Sequence, residues 1–189
     1  MRDDVLTGGF ADAPVEAARA FRSALTALAR PGRIETLAGA QAPAPFSPAA
    51  ATLLLTLGDG ETPLYLAGAH DTGAARDWIA FHIGAPIVGA GQAVFAIGGW
   101  EALAPLDAFP AGTAEYPDRS ATLIVDVEAL EAKGPRLTGP GIQSEAYLNL
   151  PETAAFRANR ALFPRGLDFF FTAGDRVAAL PRTTIVEDA

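Results

Sequence analysis

The amino-acid sequence predicts an α/β fold, a three-layer arrangement with a mixed β-sheet flanked by helices. Helix-period and strand-period patterns alternate along the chain. The run Ala121 to Val127 is apolar on both faces, as befits a central strand covered by helices on each side. The chain has 189 residues, 50% of them hydrophobic, enough for one sizeable core, so residues 1–189 read as a single domain.

The elements follow in order. Asp12 is placed to cap a helix with Pro14 in its first turn, and Val15, Ala18, Phe21, Leu25 and Leu28 form an apolar stripe taken as its buried face. Arg30-Pro31-Gly32 ends it, Arg33 to Leu37 is a short strand, and Ala38 to Pro48 is an Ala/Pro-rich extended connection. Ser47-Pro48 opens a second helix that runs to Leu57 before Gly58-Asp59-Gly60. Pro63 to Ala67 reads as a strand, Asp71 as the cap of a third helix ending near Gly84, and Ala93 to Ile97 as a further strand. Beyond the central strand, the polar turn Glu131 to Pro135 leads to Arg136 to Thr138, expected to pair back as a hairpin arm. Glu152 to Leu162 is the last main helix, Leu167 to Thr172 a buried strand, and Val177 to Val186 holds short terminal pieces.

Composition removes several functions. With 22 acidic against 14 basic residues the formal charge is -8, which repels phosphate backbones and anionic lipid, so neither nucleic acid nor membrane is an expected partner. The chain has no cysteine, which excludes disulfides, thiolate nucleophiles and Cys-ligated metal. Met1-Arg2-Asp3-Asp4 lacks the basic and apolar pattern of a signal peptide. Ile83 to Trp100 is uncharged but interrupted by Gly84, Pro86, Gly89, Gly91, Gly98 and Gly99, so it is expected to form two short strands with a turn rather than a span. A cytoplasmic location is therefore the expectation.

Candidate chemistry is sparse. His70 and His82 are too far apart for a helical zinc pair, so no metal is expected. Ser23, Ser47, Ser120 and Ser144 lie outside any Gly-x-Ser-x-Gly elbow, and Gly89-Ala90-Gly91 does not continue into a phosphate-binding loop. Lys133, the single lysine, sits in the polar turn and is expected to be solvated. Arginine is the abundant cation. Arg119, Arg165 and Arg182 each occupy a Pro-bearing turn, where a guanidinium can fork onto an anionic ligand, onto a partner's carboxylate, or onto Asp118, Asp168 or Asp175 of this chain.

Pro117-Asp118-Arg119-Ser120-Ala121-Thr122, Gly139-Pro140-Gly141-Ile142, Phe163-Pro164-Arg165-Gly166-Leu167-Asp168 and Leu180-Pro181-Arg182-Thr183-Thr184, in that order, closely resemble the PhnH family of the bacterial carbon–phosphorus lyase system. Gly8-Gly9-Phe10, the Ala20-Phe21-Arg22 to Gly32 segment, Leu57-Gly58-Asp59 and Phe81-His82-Ile83-Gly84-Ala85-Pro86 agree, while Val94 departs from an expected acid. The resemblance implies a fold related to pyridoxal-phosphate-dependent transferases without the cofactor lysine, and so no cofactor. It implies a homodimer in isolation and a core complex with PhnG, PhnI and PhnJ. With PhnG, PhnI and PhnL the family is associated with making a ribose 1-phosphonate 5-triphosphate from ATP and an alkylphosphonate. The implied role is a subunit of ribose 1-methylphosphonate 5-triphosphate synthase with no active site of its own. A binding module for a nucleotide or phosphonate, and an independent enzyme using the three arginines, are the alternatives.

Overall fold

A computed structural model describes residues 7–188, and the Met1-Arg2-Asp3-Asp4 segment lies outside the described residues. The chain runs α1 (Ala13–Ala29), β1 (Glu35–Thr36), α2 (Pro48–Leu57), β2 (Leu64–Leu66), α3 (Gly73–His82), β3 (Phe95–Gly98) and α4 (Trp100–Leu103). It continues β4 (Thr122–Asp126), β5 (Arg136–Thr138), β6 (Ala146–Tyr147), α5 (Ala154–Ala161), β7 (Asp168–Ala173), β8 (Arg176–Leu180) and β9 (Ile185–Glu187).

Six strands form a mixed sheet in the order β1-β8-β7-β4-β3-β2. Strands β2, β3, β4 and β7 are parallel, and β8 and β1 close one side antiparallel. Period-two alternation sends Leu64, Leu66, Ile97, Ile124, Phe170 and Val177 to one face, packed on α1, α2 and α3. The other face carries Leu123, Val125, Phe169 and Phe171, packed on α4, α5 and a three-stranded antiparallel sheet in the order β6-β5-β9. Burial on both faces explains the unbroken apolar runs of β4 and β7.

Local signals set the helix ends. Ser47 Oγ accepts the Ala50 N–H at 3.1 Å, Pro48 fills the first turn of α2, and the Gly58 N–H closes on Leu54 O. Thr72, rather than Asp71, caps α3 through the Ala75 N–H. Asp71 instead holds the Arg76 guanidinium by two hydrogen bonds, a stronger use of a carboxylate than one backbone donor.

Three further expectations are corrected. Helix α1 buries Ala20, Ala24 and Ala27 and leaves Val15, Phe21 and Leu25 at 43%, 51% and 53% exposure. Both faces have helical spacing, and close packing of α1 on α2 and β8 favours the small residues. Strand β5 does not pair with β4; it lies between β6 and β9, which carries Leu137 into the core beside Leu148 and Val186. Asn149 holds the intervening turn away from the sheet, accepting the Glu131 N–H and donating to Ala129 O. Between Ile83 and Trp100 there is one strand, β3, with a single bridge from Ile87 to Leu64 in place of the other. Among the described residues no helix is long and apolar enough to cross a membrane.

Two of the recognised turns need glycine. Gly141, at φ +83°, puts its Cα so near the end of α1 that a Cβ would lie 2.0 Å from Ala29 O. Gly166, at φ +125°, lies against Asn159, whose side chain accepts the Leu167 N–H and donates to Leu167 O.

Candidate functional site

Two polar clusters mark the two ends of the central strands. At the amino ends of β4 and β7, Arg182 is folded inward, with its side chain 12% exposed and that of Asp168 26% exposed. Its Nε and Nη2 donate to the two oxygens of Asp168, Nη1 donates to Pro117 O at 2.7 Å, and Nη2 also reaches Ser120 Oγ. The Asp168 carboxylate additionally accepts the Arg182 N–H at 2.8 Å. One guanidinium thus ties together three of the turns singled out in the sequence, Pro117 to Ser120, Phe163 to Asp168 and Leu180 to Thr184.

The other two arginines are exposed. Arg119 is exposed and stacks over the Tyr116 ring with its Cζ 4.1 Å from the centroid. Arg165 is exposed with no carboxylate in ion-pair contact among the described residues. The Arg182 donors are committed within the fold, which leaves Arg119 and Arg165 as the exposed members of the trio. Lys133 is exposed at the surface and paired with Glu131, whereas Schiff-base chemistry needs a desolvated or cation-flanked amine.

The second cluster lies at the carboxyl ends of the parallel strands, where α/β sheets commonly place ligands. The buried Asp126 closes β4. Its Oδ2 accepts the Ser47 N–H at 2.8 Å and lies 3.2 Å from His70 Nε2, and its Oδ1 accepts the Thr172 hydroxyl at 2.8 Å. The His70 and Asp126 side chains are 7% and 8% exposed. Burial pushes the Asp126 carboxyl up, but hydrogen bonds from His70, from the side chain and backbone of Ser47 and from Thr172 outweigh it, holding the group below its ordinary 3.8. The ionised carboxylate makes Nε2 the protonated nitrogen of His70. Nδ1 is buried without a hydrogen-bond partner among the described residues, and Phe46 meets the ring edge-on at 5.0 Å.

Ser47, His70 and Asp126 have the residue types of a hydrolase triad but not its wiring. A triad runs from carboxylate to imidazole to hydroxyl, whereas here Ser47 gives its own N–H to the carboxylate and its hydroxyl caps α2. His70 Nδ1 bonds to no serine. The cluster is built to lock β4, β7, the start of α2 and the turn after β2 to one another. Sequence reasoning missed it, although a lone acid closing the apolar run Leu123-Ile124-Val125 was a signal for a satisfied buried carboxylate. His82 is held apart from this cluster at the end of α3, 3.1 Å from Thr7 O, and among the described residues no three His, Asp or Glu side chains gather as a metal site.

Comparison with known proteins settles the family. The family model of the bacterial phosphonate metabolism protein PhnH matches residues 8–187. The chain belongs to the PhnH family. It is 43% identical to the alpha-D-ribose 1-methylphosphonate 5-triphosphate synthase subunit PhnH of Rhizobium meliloti, over 98% of both chains. It is 35% identical to the putative C-P lyase subunit protein HtxG of Stutzerimonas stutzeri, over 93% of both chains. All four ordered turns that suggested PhnH lie inside the matched span, and the structure gives three of them a shared purpose in the Arg182 tie. Val94, where the family resemblance led us to expect an acid, is 44% exposed just before β3, so either residue type is compatible with the fold there.

Proposed function

We propose that this chain is a non-catalytic subunit of the carbon–phosphorus lyase core complex, supporting the formation of ribose 1-phosphonate 5-triphosphate from ATP and an alkylphosphonate. The observation that carries the reading is the match over nearly the full length of both chains to a relative named as a subunit of that synthase. The chemistry of this chain agrees with it. Displacement at the ribose of ATP requires charge stabilisation on the triphosphate and a positioned nucleophile, and in the two polar clusters the Asp126 carboxylate and the Arg182 guanidinium are each engaged by other groups of this chain. PhnG, PhnI and PhnJ are its companions in this reading, with PhnL acting in the same reaction, and the setting is cytoplasmic. The fold is read as one domain related to the pyridoxal-phosphate-dependent transferases but without their cofactor lysine, a reading supported by the parallel strands β2, β3, β4 and β7 and by the surface position of Lys133.

Reconstitution with and without this chain, following adenine release from ATP in the presence of an alkylphosphonate, tests the role. The chain alone should release none, and the remaining subunits should fall well below full rate without it. Adenine release by the isolated chain, or a full rate in its absence, overturns the proposal.

A homodimer in the absence of the other subunits is part of the same reading. Its support is the exposed apolar face of α1, where Val15, Phe21 and Leu25 lie along one side of a helix whose other side is already packed. Light scattering at micromolar concentration should give twice the chain mass for the natural protein and a monomer for Phe21→Glu/Leu25→Glu, with unchanged circular dichroism. A natural protein that is monomeric, or a dimer indifferent to both substitutions, counts against it.

A further inference from the structure

We propose that the cleft between α4 and α5 is the docking site for a sibling-subunit segment that inserts an apolar side chain flanked by lysine or arginine. The inference rests on the subunit reading and adds to it the place and chemistry of the contact. The cleft holds about 530 Å³, within the roughly 300–1,000 Å³ of typical binding clefts. Trp100, Leu106, Phe109, Leu162 and Leu167 supply its apolar wall. The apolar surface runs on outside it, since Leu162 and the adjoining Phe163 are 41% and 52% exposed, with one face of the Phe163 ring under the Arg160 guanidinium at 4.9 Å. An apolar surface that continues past the mouth of a cleft suits a polypeptide better than an enclosed small molecule.

Charge decides the chemistry of the occupant. Every titratable side chain that lines the cleft is a carboxylate, namely Glu101, Asp107 and Glu152. Glu152 is already engaged, accepting the Trp100 Nε1–H at 3.4 Å and the Ala155 N–H at 3.1 Å. Glu101 and Asp107 are exposed on the rim. A triphosphate or a phosphonate would meet the negative charge of these carboxylates, so this cleft is not where the anionic reactants of the synthase sit. A segment with a basic residue beside an aliphatic or aromatic one satisfies both wall and rim, by burial of the apolar group and by screened attraction at the edge.

The test is assembly with the purified sibling subunits, using Glu101→Lys/Asp107→Lys and Leu162→Glu, all at exposed positions, with circular dichroism confirming the fold. Each variant should weaken assembly by about tenfold or more, and rising ionic strength should weaken the natural assembly while having little further effect on the double-lysine variant. The difference in emission between the natural chain and Trp100→Phe should shift to the blue on assembly, because Trp78 is fully buried already. If both variants assemble as the natural chain does and Trp100 emission is unchanged, the cleft assignment falls while the subunit reading stands. If the variants alter the mass of the isolated chain but leave sibling affinity intact, the occupant is a second copy and the assignment is overturned. If the natural chain does not assemble with the siblings at all, the subunit reading and the cleft assignment fall together.

Discussion

Asp126→Ala is expected to destabilise the protein by about 3 kcal/mol, lowering the melting temperature by about 6–12 °C. The substitution leaves the Ser47 N–H, the His70 Nε2–H and the Thr172 hydroxyl without their acceptor in a site with little access to water. An orphaned buried donor costs about 1–3 kcal/mol, and the total stays below the sum because the Thr172 hydroxyl can rotate toward another acceptor. The same residue gives a pH signature. Its carboxyl is held below 3.8 in the folded chain, so the unfolded chain binds the proton more readily on acidification. The stabilisation is fully present above about pH 4 and is lost as the pH falls through the lower, folded value. Asp126→Asn should remove this part of the acid dependence while keeping the shape of the side chain. Urea unfolding of the natural chain and both variants, at neutral pH and through the acid range, checks the expectation. Equal stabilities at neutral pH would show that the cluster does not hold the strand ends.

The second large effect separates the three arginines by what each touches. Arg182→Glu should cost about 3 kcal/mol, because it sets two carboxylates against each other in a largely covered site and releases Pro117 O and Ser120. Arg119→Glu should cost no more than about 1 kcal/mol, the scale of an exposed cation–aromatic contact. Arg165→Glu, at an exposed turn, should change stability by about 0.5 kcal/mol or less. Thermal melts of the three variants read these values directly. In assembly assays, Arg182→Glu is then expected to act by loosening the fold, and any loss seen with Arg119→Glu or Arg165→Glu would report a surface contact. An Arg182→Glu protein as stable as the natural one would show that the tie is incidental.

The outcome for the three arginines shows why the candidate site was only partly legible. Their placement in Pro-bearing turns is a local property, read from Pro117, Pro164 and Pro181. Which carboxylate or ligand a guanidinium reaches is not local. Arg182 meets Ser120 across 62 positions of chain, and composition alone could not choose between that contact and a bound anion. The Asp126 cluster was less legible still. Each member had an ordinary separate explanation, Ser47 as a helix cap, His70 as a surface or structural imidazole, Thr172 as the end of a strand, and only the parallel register of β4 and β7 brings Asp126 opposite Thr172.

The sequence by itself determined helices α1, α2, α3 and α5, strands β1 to β5 and β7, the ends of α2 and the family. These rest on interactions within a few residues, such as the Ser47 cap on Ala50, the Gly58 N–H on Leu54 O and the ordered Pro- and Gly-bearing turns. Tertiary structure alone decided which side of α1 is buried, which strands flank β5 and which groups surround Asp126. The side of α1 bearing Ala20, Ala24 and Ala27 and the side bearing Val15, Phe21 and Leu25 both satisfy helical periodicity. The alanine side is buried because close approach to α2 and β8 leaves no room for larger side chains there, and a distance between elements is not encoded in the spacing of residues within one of them.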